Sequence, residues 1–111
     1  MQIQRVDQGD VTILQFEEDE QLLDPEILQA YLYDLMDEKR YRVLIDIENV
    51  RYVSSSVLGL FITICKSARE NDGEVKIVNA QPSVSNVFRM TRLDRVFQMF
   101  NDRDSAIASF E

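Results

Sequence analysis

The sequence predicts an α/β fold: a mixed, mostly parallel β-sheet with an N-terminal antiparallel hairpin and flanking helices. Short apolar runs alternate along the chain with longer segments of helical periodicity. Residues 43–47 form a nearly continuous apolar run, which is typical of a central strand covered on both faces. The intervening segments are long enough for helical crossovers between parallel strands. With 111 residues, 45% of them hydrophobic, we expect one domain over 1–111.

The first third of the chain predicts a hairpin and then a helix. Apolar runs at 3–6 and 11–16 flank a turn-like polar cluster at 7–10. An acidic block at 17–20 follows, which we expect to be a solvated loop, and Asp24 is placed as a helix N-cap before Pro25. The predicted helix carries an apolar stripe at Ile27, Leu28, Tyr31, Leu32, Leu35 and Met36.

The remaining elements follow from the same periodicities. A second helix from about residue 55 buries Leu58, Phe61, Ile62, Cys65 and Ala68, and Gly73 is expected to stop it. A strand at 75–78 leads to a helix that begins at Pro82 and carries Val84, Val87, Phe88 and Met90 inward. A short strand at 96–100 and a final helix capped by Asn101 or Asp102 follow. Phe88, Met90 and Phe97 are expected in the core.

Composition excludes several function classes. A net charge of −8 and a pI near 4.5 argue against nucleic acid or an anionic membrane as partner. The absence of histidine removes Ser-His-Asp and Cys-His catalysis, and a single cysteine, Cys65, predicts a buried thiol rather than a disulfide. Asp46 and Glu48 are expected to be solvated structural acids. We therefore expect no cofactor, no metal site, no enzymatic activity, no membrane segment and a cytoplasmic location.

Three consecutive serines occupy the predicted turn between the central strand and the second helix: Ser54, Ser55 and Ser56. The first N–H groups of a helix lack intrahelical partners, and serine oxygens accept hydrogen bonds from them. The same geometry also accommodates a phosphate. The residues alone leave two interpretations open, helix caps or a phosphorylation switch.

Two stretches carry a family resemblance: LIDIENVRYVSSSVLG at 44–59 and VKIVNAQPSVSNVFRMTRLDRVF at 75–97. Together with the element order they resemble the STAS domain of bacterial anti-sigma factor antagonists over nearly the whole chain. In that family an Asp-Ser-Ser/Thr-Gly-Leu-Gly turn opens a helix, and a partner phosphorylates the serine after the aspartate. Position by position, Ser54 replaces the aspartate, Ser55 matches the acceptor, Ser56 the second hydroxyl, Val57 replaces the first glycine, and Leu58 and Gly59 match.

The resemblance implies a regulatory protein that binds a kinase-type anti-sigma factor, with ATP and Mg²⁺ on the partner and a phosphatase as a further candidate partner. It implies Ser55 as phosphoacceptor and a partner-binding surface made of Asp19, Glu20, Asp24, Tyr52, Ser55 and Ser56. Its departures matter: Ser54 removes an acid beside the acceptor, and the branched side chain of Val57 is expected to obstruct a kinase. Gly59 is expected to mark close packing within the protein more than the approach of a partner's backbone.

The energies of the interactions involved restrict how a phosphorylation switch would act. A phosphate at a helix N-terminus gains only about 0.3–1 kcal/mol, whereas a like-charged contact within an interface costs several kcal/mol. Phosphorylation of Ser55 would therefore have to act through a covering partner. The alternatives are a constitutive STAS scaffold subunit of a signalling or transporter-associated complex, and a small enzyme or nucleotide-binding domain, which no Gly-rich phosphate loop supports.

Overall fold

The structure is a computed structural model that describes residues 3–17 and 25–110. Its element order, β-β-α-β-α-β-α-β-α, confirms the prediction. The strands are β1 (Ile3–Gln8), β2 (Val11–Phe16), β3 (Arg42–Asp46), β4 (Glu74–Val78) and β5 (Met99–Phe100). The helices are α1 (Pro25–Asp37), α2 (Ser55–Glu70), α3 (Pro82–Met90) and α4 (Arg103–Ala108).

The five strands form one sheet in the order β1-β2-β3-β4-β5. Only β1 and β2 are antiparallel, and the other neighbours are parallel. The hairpin turn is tighter than the polar cluster at 7–10 predicted, because Asp7 and Gln8 still pair with Thr12 and Val11. Two residues remain in the turn, and Gly9 has a φ of 60° in its first position, as a type II′ turn requires.

Apolar side chains cover both faces of the sheet. The larger cluster combines Val43 and Ile45 of β3 with residues of α1, α2 and α3. The smaller cluster combines Leu44 with Ala106 and residues of β2 and β4. Because successive strand residues point to opposite faces, α4 covers the face opposite the three longer helices. The prediction of a central strand buried on both faces is confirmed.

Two details of the predicted core are wrong. Ile27 lies at the edge of the α1 stripe and is 40% exposed, while Leu28, Leu32 and Leu35 are buried. Met90 is 83% exposed. Two residues turn a helix by about 200°, so Met90 points away from the side on which Phe88 is buried. Phe88 and Phe97 do lie in the core, with ring centroids 5.9 Å apart.

The end of α2 and the start of β5 differ from the prediction. Asp72 takes the left-handed conformation after α2, with a φ of 62°, while Gly73 donates its N–H to Ala68 O at 2.7 Å. A Cβ on Gly73 would lie 2.1 Å from Tyr41 O, so this glycine permits close approach of two backbones. The strand expected within 96–100 is only Met99–Phe100, and a 3₁₀ turn at Leu93–Arg95 precedes it.

The final helix begins where one of the two predicted caps lies. Asp102 accepts a hydrogen bond from Ser105 N at 2.8 Å and is the N-cap of α4.

Within the described residues, none of the helices has the length and apolar character needed to span a bilayer.

Candidate functional site

The start of α2 is capped by the first of the three serines. Ser54 has extended backbone angles, with φ −80° and ψ 161°, and its Oγ accepts a hydrogen bond from Val57 N at 3.2 Å. Its carbonyl accepts from Leu58 N at 3.0 Å. Ser54 therefore satisfies one otherwise unpaired N–H group of the helix start and keeps the capping role that an aspartate would have, without the charge.

The next two serines lie within the helix and face outward. Ser55 is the first residue of α2, and both Ser55 and Ser56 are exposed. In the part of the chain that the structure describes, no hydrogen bond engages the hydroxyl of either residue. Ser55 thus offers an accessible oxygen beside the first backbone N–H groups of a 16-residue helix, a position that favours an anion.

The loop that delivers these serines is fixed on two sides. Gln81 and Ser83, at the start of α3, donate side-chain hydrogen bonds to Glu48 O at 2.7 Å and Arg51 O at 3.0 Å. On the other side, Asn49 Nδ2 donates to Phe16 O at 3.5 Å, at the end of β2. The serine turn is consequently held in place by neighbouring elements.

Buried valines complete the anchoring of this loop. Val50 is 0% exposed and Val53 is 4% exposed, and Tyr52 between them is 58% exposed. Val57 is 2% exposed, because its side chain packs into the larger core cluster. Val57 was expected to obstruct a kinase, but its side chain does not lie on the surface where that expectation placed it. Its branched side chain points into the protein, and Ser55 and Ser56 are exposed on the outer face of the turn.

Gly59 also differs from its expected role. A Cβ built at this position has no neighbouring atom of the described residues within 4 Å, so their packing does not require a glycine here. Gly59 is exposed one helical turn after Ser55, and Thr63 is exposed one further turn along. The outer face of α2 thus carries only small side chains at these positions, and a partner's backbone can approach it closely.

Asp46 is not the solvated acid that the sequence predicted. It is 1% exposed and accepts hydrogen bonds from Arg103 Nε at 2.7 Å and from Glu48 N at 3.1 Å. Glu48 itself is exposed, as predicted. No cluster of three potential metal ligands occurs within residues 3–17 and 25–110. The buried carboxylate is thus paired with an arginine and has a structural environment.

Cys65 lies inside α2, as predicted, and is 1% exposed. Burial raises the pKa of its thiol, and Sγ lies 3.6 Å from Glu74 Oε1, which raises it further. A thiol of raised pKa has little thiolate near neutral pH and is a poor nucleophile. Cys65 is a core residue of this domain.

Half of the predicted partner surface lies outside the described residues. Asp19, Glu20 and Asp24 fall in the segment 18–24, whereas Tyr52, Ser55 and Ser56 are described and exposed. The structure adds a feature that the sequence analysis missed, a shallow cavity of about 130 Å³ between α1 and α2. Tyr33, Leu60 and Thr63 are among the residues that border it. Tyr33, an aromatic residue on α1, is 60% exposed. It lies outside the apolar stripe predicted for this helix, so the sequence did not single it out.

The fold and this site define a class: a small α/β domain that presents an anchored, serine-bearing helix start on its surface. Comparison with known proteins gives the family. The STAS domain family model matches residues 2–106, so the chain belongs to the STAS domain family.

Individual relatives agree with this assignment. BtrV of Bordetella bronchiseptica, assigned as an anti-sigma factor antagonist, is 30% identical over 86 residues, which are 78% of this chain and 74% of BtrV. The crystal structure of TM1081 from Thermotoga maritima, assigned to the same class, superposes with a TM-score of 0.86 at 20% identity over 97% of this chain and 93% of TM1081. The phosphorylated form of SpoIIAA from Bacillus gives 0.74 at 17% identity over 98% and 99%.

Proposed function

We propose that this protein is an anti-sigma factor antagonist-like regulatory protein that binds a kinase-type anti-sigma factor and is switched by phosphorylation of Ser55. The observation that carries the proposal is the division of labour between two serines. Ser54 caps the helix, and the exposed Ser55 hydroxyl has no structural task among the described residues. The relatives assigned as anti-sigma factor antagonists, and SpoIIAA with its phosphorylated form, support the same function.

The partner surface would be centred on the first two turns of α2. Tyr52, Ser55, Ser56 and Gly59 are exposed there, and the acidic residues Asp19, Glu20 and Asp24 are proposed to extend it. Aromatic side chains supply much of the binding energy in protein interfaces. The absent side chain of Gly59 would let the partner's backbone lie against the helix. The partner would bring ATP and Mg²⁺, and this chain would supply the acceptor hydroxyl.

The switch would act by local repulsion and desolvation. A phosphate adds about −1.5 to −2 charge to a chain of net charge −8, and salt screens surface charges beyond roughly 8 Å. A global effect is therefore small. Covered by a partner, the same phosphate costs several kcal/mol, which weakens binding by on the order of 100-fold or more.

The test begins with an affinity capture from source cells and identification of the bound serine kinase and the phosphosite by mass spectrometry. The purified kinase is then titrated by calorimetry with the wild type, Ser55→Ala and Ser55→Asp. We expect Ser55→Ala to bind the kinase without accepting phosphate. Ser55→Asp should bind at least tenfold more weakly than the wild type.

Met90→Asp is the charge control, because Met90 is exposed on α3, outside the proposed partner surface, and the variant carries the same added charge. Selective loss of binding in Ser55→Asp supports the proposed acceptor. If Ser55→Asp binds the kinase as tightly as the wild type, or phosphate is found on another residue, the switch at Ser55 is wrong.

A constitutive scaffold subunit is the second candidate, and Ser54 favours it because the acid beside the acceptor is missing. In that case a stable complex would form in cells, and its composition would be the same for the wild type, Ser55→Ala and Ser55→Asp. The capture experiment therefore separates the two functions with one set of variants.

A further inference from the structure

The strand β1 forms one edge of the sheet, since β2 is its only strand neighbour among the described residues. In a two-residue hairpin the residues that flank the turn, Gln8 and Val11, form a hydrogen-bonded pair. Every second residue of β1 therefore makes backbone hydrogen bonds to β2. The residues between them point their backbone N–H and C=O groups away from β2, towards the open edge. The outward-facing residues are Ile3, Arg5 and Asp7.

The two ends of this edge are already occupied. Tyr31 donates its hydroxyl to Ile3 O at 3.2 Å, and Arg40 Nη2 donates to Gly9 O at 2.8 Å. Between them, the outward backbone N–H and C=O groups of Arg5 and Asp7 make no hydrogen bond with the described residues. An edge with unpaired groups is a template for a further strand. The open template is limited to Arg5, Val6 and Asp7.

We propose that β1 pairs with β1 of a second copy of this chain, antiparallel about a two-fold axis at Val6. In this register Arg5 lies opposite Asp7 of the second copy, and Val6 opposite Val6. Gln4 lies opposite Gln8 in the same way. Residues 4–8, with the sequence QRVDQ, are thus self-complementary in charge and polarity. Arg5 and Asp7 would exchange four backbone hydrogen bonds across the axis.

Neighbouring registers are electrostatically unfavourable. A shift that keeps the outward groups paired moves the axis by one residue, to Arg5 or to Asp7. An axis at Arg5 places the two copies of Arg5 opposite each other, and an axis at Asp7 does the same for Asp7. Like charges directly opposite each other destabilise a strand pair. The axis at Val6 is the register that satisfies both the backbone groups and the charges.

The charge around the edge also permits self-association of an acidic chain. Arg5 bonds to Asp7 and Glu38, and Arg40 lies 3.7 Å from Asp7 Oδ1. Two cations and two anions balance locally, although the whole chain carries −8. On the opposite face of the strand, Val6 is 39% exposed, so pairing would bury apolar side chain at the axis. The charges of Arg5 and Asp7 thus disfavour pairing of β1 with an unrelated strand and are complementary to those of a second β1.

The area involved predicts a weak dimer. Five residue pairs bury less than the roughly 800 Å² per partner of a standard interface. Sedimentation equilibrium from about 10 µM to about 1 mM should therefore show a shift from monomer to dimer. A protein that stays monomeric throughout this range, or that forms trimers or larger species, overturns the proposal.

Charge at the axis gives the decisive variants. Val6→Lys alone and Val6→Glu alone should each be monomeric at the concentration at which the wild type dimerises, because like charges then meet at the axis. An equimolar mixture of the two should restore a 1:1 dimer. Met90→Lys and Met90→Glu are the controls, since Met90 is also exposed and lies elsewhere. They should dimerise as the wild type does, and a dimer that persists in Val6→Lys contradicts the proposed axis.

Thiol cross-linking tests the register itself. Opposed residues at the axis form a non-hydrogen-bonded pair with Cα atoms about 4.5 Å apart, which suits a disulfide. Val6→Cys should cross-link at least tenfold faster than Gln4→Cys, whose two copies would be about 13 Å apart along the strand. A mixture of Gln4→Cys and Gln8→Cys should form the heterodimer. Rapid cross-linking of Gln4→Cys alone would indicate another register and overturn this one.

Discussion

Arg103 Nε donates to Asp46 Oδ2 at 2.7 Å and joins the first turn of α4 to the end of the central strand β3. The same guanidinium donates through Nη2 to Gln15 Oε1 at 2.6 Å. The two side chains differ in burial, because Asp46 is buried and Arg103 is 33% exposed. One arginine thus holds the C-terminal helix against two neighbouring strands, and the buried carboxylate depends on it.

Asp46→Ala should lower the free energy of unfolding by about 3 kcal/mol, near the lower end of the range for breaking a buried pair. The value stays low because Arg103 can reach water once its partner is gone. Urea unfolding gives the change. Asp104→Ala, on the exposed side of α4, is the control and should stay within about 0.5 kcal/mol of the wild type. A double-mutant cycle with Arg103→Met that shows no coupling would contradict the pairing.

Ser54→Ala removes the side-chain cap of α2 and should cost about 1 kcal/mol of stability. Ser54→Asp should be close to neutral, because aspartate caps as well as serine and its charge suits a helix N-terminus. Ser56→Ala is the control, since its hydroxyl makes no hydrogen bond with a described residue. Chemical denaturation measures all three. Equal losses for Ser54→Ala and Ser56→Ala would show that the cap contributes nothing in solution.

The two internal glycines should respond oppositely to alanine. At Gly73 a Cβ would lie 2.1 Å from Tyr41 O and 2.5 Å from Tyr41 Cβ, so Gly73→Ala forces the backbone apart and should cost about 1–3 kcal/mol. At Gly59 the space is open, and Gly59→Ala should gain about 0.5–1 kcal/mol because alanine is the better helix former. Thermal unfolding of the two variants provides the comparison. A loss of stability in Gly59→Ala would mean that the glycine serves the fold itself.

The spacing of apolar residues was sufficient to predict the fold, because a few consecutive residues distinguish a strand from a helix. The hairpin, the central strand and the stripes of α1 and α2 are all local patterns, and their order left few topologies for a parallel sheet. The cap role of Ser54 was likewise predictable, because capping involves residues only three apart. The strand β5 was predicted too long, since two residues of pairing leave almost no pattern.

The remaining errors about side chains concern distant contacts or directions around a helix. Asp46 was assigned to solvent because its partner Arg103 is 57 residues further along the chain. Close packing was expected at Gly59 and a helix stop at Gly73, but the close approach occurs at Gly73, against the backbone of Tyr41. The burial of Val57 depends on how the loop enters α2, which no local pattern specifies. Tertiary geometry, and not residue type, decides each of these cases.

The ion pairs at the edge strand predict a specific acid response. Arg5 donates through Nη1 and Nη2 to the two carboxylate oxygens of Glu38, both at 2.8 Å, and through Nε to Asp7 Oδ1 at 3.0 Å. These hydrogen bonds hold the pKa of Asp7 and the pKa of Glu38 below their ordinary values. The unfolded chain therefore binds more protons than the folded chain just below the ordinary values, near pH 4.

The contribution of these two carboxylates to stability is thus complete above about pH 4.5 and is lost as the pH falls through their lowered folded-state pKa values. In Arg5→Met both pKa values should return towards the ordinary range, and the loss of stability on acidification should become shallower. Carboxyl ¹³C NMR titration from about pH 6 to about pH 2 measures the pKa values, and urea unfolding at pH 6 and pH 3 measures the slope. Arg92→Met is the control, because Arg92 joins no ion pair among the described residues, and it should leave both titrations unchanged. If Asp7 and Glu38 titrate identically in the wild type and in Arg5→Met, the ion pairs do not persist in solution.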